Sequence, residues 1–326
     1  MAMSQFMLFS NCAGSFVFNN NYKLRDKILY KSNKEIIECC RMIENNKETP
    51  IEKHLLKKYH AVKAEMDKFS NISKEMEEFI PLMHKNSIIA TKNKVKESVK
   101  EDLMIVQAIC NVDEIDKTSN IMAKRLREWY SYYLPEFSDS MPDNEKFVEI
   151  TIKKGKNDLL REMHLDSENS MGADLPKEDV DEMIELAKTI QEMYRLREKH
   201  TKYLERIMDR LCPNLTAIAG VLIGAKLFSI AGSLEKLSKM PGSTIQVLGA
   251  EKAFFRHLKT GAKPPKYGFL INHPAVTNAD RKDKGKAARM VADKLAIAAK
   301  VDFFRGDFIG DKLRKMIEKR FGWKSP

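Results

Sequence analysis

The stretch MIELAKTIQEMYRLREKHTKYLERIMDRL, residues 183–211, decides the fold of most of this chain. Steps of four and three residues alternate along it and define a seam, made of Met183, Ala187, Ile190, Tyr194, Arg197, Thr201, Leu204, Met208 and Leu211. Such alternation is the heptad pattern of a coiled coil. The predicted helix is on the order of 50 Å long at ~1.5 Å per residue. Because no compact core covers such a length, its stripe needs a second helix.

An earlier segment supplies that second helix. Its seam keeps the same steps and ends before Pro135; it consists of Ile115, Ser119, Met122, Leu126, Trp129 and Tyr133. The intervening residues 136–175 are richer in Asp, Asn, Ser and Gly, which predicts an irregular insert or a shorter helical tip. The two helices are therefore expected to form an antiparallel coiled-coil arm. Arg197 and Thr201 either specify its register or mark a solvated part of the seam.

The first hundred residues have a different pattern. SQFMLFSNCAGSFVFN, residues 4–19, places two aromatic-rich runs around Asn11–Gly14 and predicts a hairpin. Residues 28–45 and 51–69 have helical spacing, the latter through Ile51, Leu55, Leu56, Tyr59, Val62 and Met66. Together these elements predict a small α+β domain. The apolar runs around Phe6, Leu8, Phe16 and Phe18 exceed what so small a domain easily hides, so we expect them to form a partner surface.

The longest apolar run, LTAIAGVLIGAKLFSIAG at 215–232, carries Lys226 near its middle. We interpret it as a helix or helix pair buried between protein layers, where Gly220 and Gly224 permit close packing. KMPGST at 239–244 predicts a boundary near residue 240, followed by a compact helical block. The expected fold is mainly α, with three domains: an α+β domain at 1–102, the coiled-coil arm at 103–239 and an all-α domain at 240–326.

Charge is concentrated at one end of the chain. The sequence has 57 Lys and Arg against 46 Asp and Glu, a net charge of +11, and residues 249–326 alone hold 19 against 8. This excess favours a polyanionic partner, although a soluble surface that is simply basic fits as well. Five cysteines, with no C-x-x-C spacing, favour a reducing, cytoplasmic compartment. Neither a secretory signal nor a membrane partner is expected.

The basic block opens with IQVLGAEKAFFRHLKTG, residues 245–261. Lys252, Arg256 and Lys259 fall within about 60° of one another on a helix, close to the line of Gly249. The adjoining sector holds Leu248, Phe255 and Leu258, and we expect it to face the core. A solvated basic face is the alternative interpretation of this stripe.

A second helix, RKDKGKAARMVADKLAIAAKVDFF at 281–304, repeats the design. One side is expected to hold Lys282, Lys286, Arg289 and Lys300, and the other Ala288, Val291, Leu295 and Ala298. Between the two helices, Lys263 and Lys266 lie on a loop with Tyr267 and His273 available to stack or to hydrogen-bond. Two basic edges in one small domain favour RNA or DNA as the partner.

Signatures of catalysis are missing from the sequence. No G-x-G-x-x-G or phosphate-binding loop is present, and GVLIGAKL lacks the spacing and the Gly-Lys-Ser/Thr ending of one. Seven scattered histidines include no H-x-x-x-H pair, and no G-x-S-x-G elbow occurs. We therefore predict no catalytic residue, no metal and no cofactor, and interpret the chain as a scaffold.

Long segments of the chain resemble the Nop-domain family. The signature region begins near residue 212 with PNLTAIAGVLIGAKLFSIAG at 213–232 and runs through GAEKAFFRHLKTGAKPPKYG at 249–268 to GKAARMVADKLAIAAKVDFFRGDFIG at 285–310. IVQAICNVDEIDKTSNIMAKRLREWYSYYLPE, residues 105–136, is similar to the start of the family's coiled-coil domain. The resemblance covers about residues 103–326.

The likeness is greatest to the archaeal core protein of box C/D small ribonucleoproteins. It implies a non-catalytic scaffold that bridges fibrillarin, the methyltransferase, to a guide RNA and a ribosomal-protein-like kink-turn binder during 2'-O-methylation of ribosomal RNA. An archaeal source is expected because the chain stops at RFGWKSP without the long tails of nucleolar relatives. The alternative is a Nop-domain protein of a spliceosomal small nuclear ribonucleoprotein.

The resemblance also implies roles for parts of the chain. Residues 1–102 would bind fibrillarin, and the coiled-coil domain would dimerise. Apolar positions of the arm outside its seam, such as Leu186, Met193 and Tyr203, form a second stripe that would pair with another copy. The RNA-binding residues would be Lys252, Arg256, His257, Lys259, Lys263, Lys266, Arg281, Lys282, Lys286 and Arg289. Gly249, Ala250 and Glu251 would contact the kink-turn binder.

Overall fold

The computed structural model describes residues 6–64 and 69–321. The chain divides into two compact units, Met1–Lys100 and Glu101–Pro326. Helices predominate in both, and the described strands all belong to one small sheet in the first unit. The predicted fold class, mainly α with an N-terminal α+β part, is confirmed.

The sheet of the first unit has the order β3-β2-β1-β4. Its strands are β1 (Phe6–Ser10), β2 (Gly14–Asn19), β3 (Leu24–Leu29) and β4 (Val62–Lys63). β2 runs antiparallel to both β1 and β3, and β4 runs parallel to β1. The hairpin predicted around Asn11–Gly14 is confirmed.

The helices of the first unit are α1 (Asn33–Glu44), α2 (Pro50–Tyr59), α3 (Phe69–Met76) and α4 (Ile80–Ser98). A 3-10 turn, Glu77–Phe79, joins the last two. The helix predicted over 28–45 starts too early, because its first residues lie in and after β3. The helix predicted over 51–69 is too long: it ends where His60 adopts a left-handed conformation (φ 49°), and the next residues form β4. Met66 lies outside the described residues.

The apolar strands are covered on both faces. Leu8 and Val17 pack with Leu55 of α2, whereas Phe16 and Phe18 pack on the opposite face with Ile72 and Phe79. Phe16, Phe18 and Val17 are completely buried. The expectation that these runs form a partner surface is therefore wrong for Leu8, Phe16 and Phe18, whereas Phe6 is only partly buried. A strand that is buried on both faces has a continuous run of apolar residues in its sequence. Here the helices that follow the hairpin in the chain cover that run.

The second unit begins with two long helices, α5 (Glu101–Tyr130) and α9 (Lys177–Leu211). Between them lie α6 (Pro135–Ser140), α7 (Asn144–Lys153), α8 (Lys156–Glu162) and a 3-10 turn, Ser167–Asn169. These short helices are the helical tip that the composition of 136–175 predicted.

The two long helices pack antiparallel, as ion pairs along them demonstrate. Glu101, at the start of α5, lies 3.0 Å from Arg210 at the end of α9. Further along α5, Asp116 lies 3.0 Å from Arg197. Arg197 also donates to Glu145 of α7 at 2.8 Å, so its guanidinium joins three helices. These contacts fit the interpretation of Arg197 as a residue that specifies register.

The α9 seam is confirmed at six positions that are buried: Met183, Ala187, Ile190, Tyr194, Leu204 and Met208. The α5 seam is confirmed at Ile115, Ser119 and Leu126, but it is wrong by one residue at two positions, because Ala123 and Tyr130 are buried where Met122 and Trp129 were expected. An α-helix drifts relative to a strict heptad. Contacts with the tip also determine which residue of α5 is buried, since Tyr130 packs edge-on against Phe137 and Phe147.

The rest of the second unit is helical. It contains α10 (Pro213–Ala219), α11 (Val221–Ala231), α12 (Leu234–Lys239), α13 (Gly242–Val247), α14 (Glu251–Thr260), a 3-10 turn (Phe269–Asn272), α15 (Pro274–Thr277), α16 (Lys284–Phe303) and α17 (Gly310–Phe321). One continuous core joins all of these helices except α14 to the base of the arm, and it includes Ile105, Leu204, Phe228, Val291 and Leu313. The boundary expected near residue 240 falls within this core, so the division into three domains stays a prediction.

The apolar stretch 215–232 is the helix pair α10 and α11, bent by 116°. Lys226 lies 3.0 Å from Asp113 of α5, which neutralises its charge. A Cβ on Gly224 would lie 2.7 Å from Cε of Met208, whereas Gly220 (φ 71°) forms the break between the helices. Within residues 6–64 and 69–321, no single helix is long and apolar enough to cross a membrane; only this bent pair reaches that length and composition.

Candidate RNA and partner interface

Helix α14 leaves the core at a tight turn. Gly249 has φ 88°, and a Cβ there would lie 2.8 Å from Cδ2 of Phe269 in the same chain. Glu251 accepts a hydrogen bond from the Gly249 N–H at 2.8 Å. These contacts give Gly249 and Glu251 an internal reason to be present: they start the helix. A side chain at 249 would meet Phe269, so the fold of the chain itself requires the glycine.

No residue of α14 is buried. Phe254, Phe255 and Leu258 are 43%, 59% and 63% exposed. The expectation that Phe255 and Leu258 face the core is wrong; of that sector, only Leu248 is buried. The Phe269 N–H donates to the Leu248 carbonyl at 2.8 Å, so the chain closes the core below the turn and α14 continues beyond it. The helix therefore presents an apolar face that nothing in the described chain covers.

Cations share this helix with the apolar face. Lys252, Arg256 and Lys259 are exposed, and none of them forms an ion pair with any residue in the described ranges. His257 is half-buried and its Nδ1 contacts the Ala262 carbonyl, so Nδ1 is the donor. Helix α14 thus combines positive charge with exposed aromatic and aliphatic surface.

Helix α16 carries the second basic edge. Lys286, Arg289 and Lys300 are exposed, and Ala288, Val291, Leu295 and Ala298 are buried on its other side, as predicted. Arg281 and Lys282 are exposed but precede the helix, because it begins at Lys284. Lys284 itself, half-exposed, was missed by the sequence reasoning although it belongs to the same lysine cluster.

The loop between the helices brings one predicted residue onto α16. Cδ of Lys266 lies 3.7 Å from the position of a Cβ on Gly285, so Lys266 joins the cations at the start of α16. Lys263, on the same loop, is exposed. The charge of Lys266 and the charges at the start of α16 therefore lie on one part of the surface, where a phosphate would find several cations together.

Two loop residues that could have stacked on a base are tied to the protein. Tyr267 packs partly against the core. His273 is fully buried; its Nε2 donates to the Ile218 carbonyl at 2.8 Å, and its Nδ1 accepts from the Ala275 N–H. Burial lowers the pKa of His273 and keeps the ring neutral. The expectation that His273 is available to a ligand is wrong, since the ring holds the loop against α10.

Comparison with known proteins shows the family of the chain. A family model described as the Nop snoRNA-binding domain, with fibrillarin named in the same description, matches residues 111–322. The chain belongs to the Nop family. The matched range includes most of the arm and all the basic helices described above, so the resemblance noted in the sequence is confirmed.

Individual relatives support the family membership. An uncharacterized NOP5 family protein of Methanocaldococcus jannaschii is 40% identical over 259 residues, which cover 75% of this chain and 62% of that protein. Nucleolar protein 58 of Schizosaccharomyces pombe is 41% identical over 217 residues, 62% of this chain and 43% of the relative. The chain therefore spans only about half the length of the curated relatives it matches.

A solved structure, the crystal structure of a fibrillarin/Nop5p complex, is 22% identical and covers 97% of this chain and 98% of the matched one, with a TM-score of 0.45. That score supports no conclusion about this chain. Among the residues that the structure describes, no group of three or more His, Cys, Asp or Glu side chains is placed to hold a metal ion.

Proposed function

We propose that this chain is a non-catalytic scaffold of a box C/D small ribonucleoprotein of the archaeal type. In this proposal the second unit binds a kink-turn guide RNA together with its small ribosomal-protein-like partner, and the first unit binds fibrillarin. The particle would then carry out guide-directed 2'-O-methylation of ribosomal RNA, with fibrillarin as the methyltransferase. Support comes from the Nop family model, whose description names both snoRNA and fibrillarin.

The uncovered face of α14 carries the proposal. Lys252, Arg256 and Lys259 have the charge to contact phosphates, but phosphate contacts position a protein without selecting a sequence. Phe255 and Leu258 beside them offer an apolar surface that RNA phosphates cannot satisfy and a protein can. A helix with both properties fits a composite surface, made where a protein and an RNA meet.

The other cations extend the proposed RNA surface. Lys266 lies over Gly285, which precedes Lys286 in α16, so both lysines could contact one stretch of RNA backbone. Lys286 is paired with Asp283 at 2.8 Å, which reduces its contribution. We therefore expect α14 to supply most of the specificity, and the loop and α16 to add affinity that depends strongly on salt.

The buried hairpin cannot supply the fibrillarin surface, so we propose α4 instead. Ile88 and Val95 are exposed and lie about 20° apart at 100° per residue, and the exposed Val99 follows directly after the helix. The opposite side of α4 packs on α1 through Ile89 and Ala90. An exposed aliphatic stripe of this kind is typical of a protein-binding helix.

We also propose that the arm pairs with the arm of a second copy. A groove of about 670 Å³ lies between α5 and α9, with Met104, Cys110 and Tyr203 among its lining residues. Met193 of α9 is only partly buried, as is Leu186, which packs in part against the core of the tip. A twofold pair would cover these apolar positions and is the simplest closed assembly.

The experiment is a gel shift with a kink-turn RNA already bound by its small protein partner. Lys252→Glu with Arg256→Glu should abolish the supershift by the full chain at two salt concentrations. Lys312→Glu with Lys315→Glu on α17 is the matched control: it makes the same charge change in the same basic block, on exposed lysines that are not paired in the described structure. An undiminished supershift by the α14 variant would mean that its stripe is a solvated face.

A further inference from the structure

Phenylalanines crowd the exposed connection between α16 and α17. Three of the six residues at 303–308, FFRGDF, are aromatic. Phe303, Phe304 and Phe308 are 37%, 77% and 54% exposed, and we call this segment the aromatic loop. A connecting loop of a folded chain rarely leaves so much aromatic surface in water unless something binds there.

Buried polar groups hold this loop in place from both ends. Asp302, just before it, accepts hydrogen bonds from the backbone N–H groups of Asn214 and Leu215 and from Nδ2 of Asn214, at 2.7–3.1 Å. Ile309, just after it, donates its N–H to Oδ1 of Asn214 at 2.6 Å. Asn214 and Asp302 are almost fully buried. The rings are therefore displayed on a loop whose ends are fixed to α10.

The backbone inside the loop is also fixed. Arg305 has φ 55°, and the Gly306 N–H donates to the Val301 carbonyl at 2.8 Å. At the far end, a Cβ on Gly310 would lie 3.0 Å from Cε2 of Phe308 and 2.7 Å from Cβ of Ala217. The Phe308 ring thus lies against a position that only glycine can occupy, and a ring held in this way loses little freedom on binding a ligand.

Positive charge accompanies the rings. Lys300 and Arg305 are exposed and form no ion pair within the described residues, and Asp307 is the only carboxylate inside the loop. The rings of Phe303 and Phe304 meet edge-on, with centroids 5.1 Å apart and an interplanar angle of 73°. They therefore present separate faces and do not merge into one flat apolar patch. A recess of about 410 Å³ beside Phe304 is lined by Lys300, Val301, Gly306, Asp307 and Ile309.

We propose that the aromatic loop binds unpaired RNA, with bases stacked on Phe304 and Phe308 and phosphates next to Lys300 and Arg305. Separate ring faces next to unpaired cations are what a single strand needs, because every base has a π-face and every linkage a negative charge. A protein partner would bury these cations without neutralising them unless it brought carboxylates. The inference rests on the proposed function only in placing RNA near this unit; it concerns a different surface and a different form of RNA.

The test is the affinity of the full chain for fluorescein-labelled octauridine, measured by anisotropy at two salt concentrations. Phe304→Leu with Phe308→Leu keeps apolar side chains but removes the rings, and should weaken binding by about fivefold or more for each lost stack. Phe304→Tyr with Phe308→Tyr keeps the rings and should bind within about twofold of the wild type, by the same reasoning. The gap between the two variants should persist at the higher salt, where phosphate contacts fade.

Two results would overturn this proposal. The first is that the leucine variant binds octauridine as tightly as the wild type. The loop would then contact RNA through apolar or electrostatic interactions and not through stacking. The other is wild-type protein with no saturable binding of octauridine. The supershift of the kink-turn complex is measured on the same variants. It depends on α14 and should be unchanged, so failure of the scaffold proposal and failure of the stacking proposal give different results.

Discussion

Replacing Phe255 and Leu258 by alanine tests whether the apolar face of α14 exists for a partner. Both side chains lie on a helix that buries none of its residues, and they are 59% and 63% exposed. Truncation therefore removes little packing within the chain. We expect the free energy of unfolding to change by no more than about 0.5 kcal/mol, as for other surface substitutions.

The effect on binding should be much larger. A phenylalanine side chain buries about 200 Å² when it is fully covered. Since Phe255 is 59% exposed, about 120 Å² of it is available to a partner. At ~25 cal/mol per Å² this area is worth about 3 kcal/mol, or on the order of 100-fold in Kd. Incomplete burial in the complex would reduce this value, so we expect a loss of about 10- to 100-fold for the double variant.

Titration of the kink-turn RNA and its bound protein with the full chain measures this loss. Leu222→Ala on α11 is the control, because it truncates a side chain that is 45% exposed but lies away from α14 in the sequence. The control should bind as the wild type does. Equal affinity of Phe255→Ala with Leu258→Ala and the wild type would refute the assignment of α14 as the interface.

Three further predictions concern other parts of the chain. Light scattering at micromolar concentration should show a dimer that Met193→Glu converts to a monomer, because pairing of two arms would remove the new charge from water. A wild-type monomer, or a variant that still forms a dimer, would contradict the self-association. A chain truncated to begin at Leu103 should lose fibrillarin, and retention would mean that residues 1–102 do not bind it. Burial holds the pKa of His273 below its usual 6.5, so the unfolded state takes up the proton first. The free energy of unfolding, measured in urea, should therefore fall as pH drops below about 6.5, by up to about 1.4 kcal/mol per pH unit. In His273→Asn it should fall less steeply with pH. Equal pH dependence of the unfolding free energy in the two proteins would contradict this.

The arm could be predicted because a long helix carries its packing pattern in its own sequence. The buried residues of α9 repeat at the heptad spacing from Met183 to Tyr194 and resume at Leu204. Tertiary contacts decided the rest. The turn from α5 into the tip buries Tyr130 among Phe137 and Phe147, and no spacing within α5 records those rings.

The two main errors have one cause, which is that a sequence pattern shows that a face is apolar but not what covers it. Phe16 and Phe18 were expected at a partner surface, yet helices later in the chain hide them. Phe255 and Leu258 were expected in the core, yet the turn at Gly249 carries their helix away from it. The cations of the candidate site were easier to place, because charged side chains remain at the surface in either case.

Reconstitution of the particle shows whether this chain joins fibrillarin to the RNA. Fibrillarin, the full chain and a guide RNA bound by its kink-turn protein are mixed in all combinations, and sedimentation reports which components travel together. We expect fibrillarin to join the RNA-bound protein in one particle only when the full chain is present, and we expect the chain alone to transfer no methyl group from S-adenosylmethionine to RNA. A particle that forms without this chain, or methyl transfer by the chain alone, would contradict this expectation.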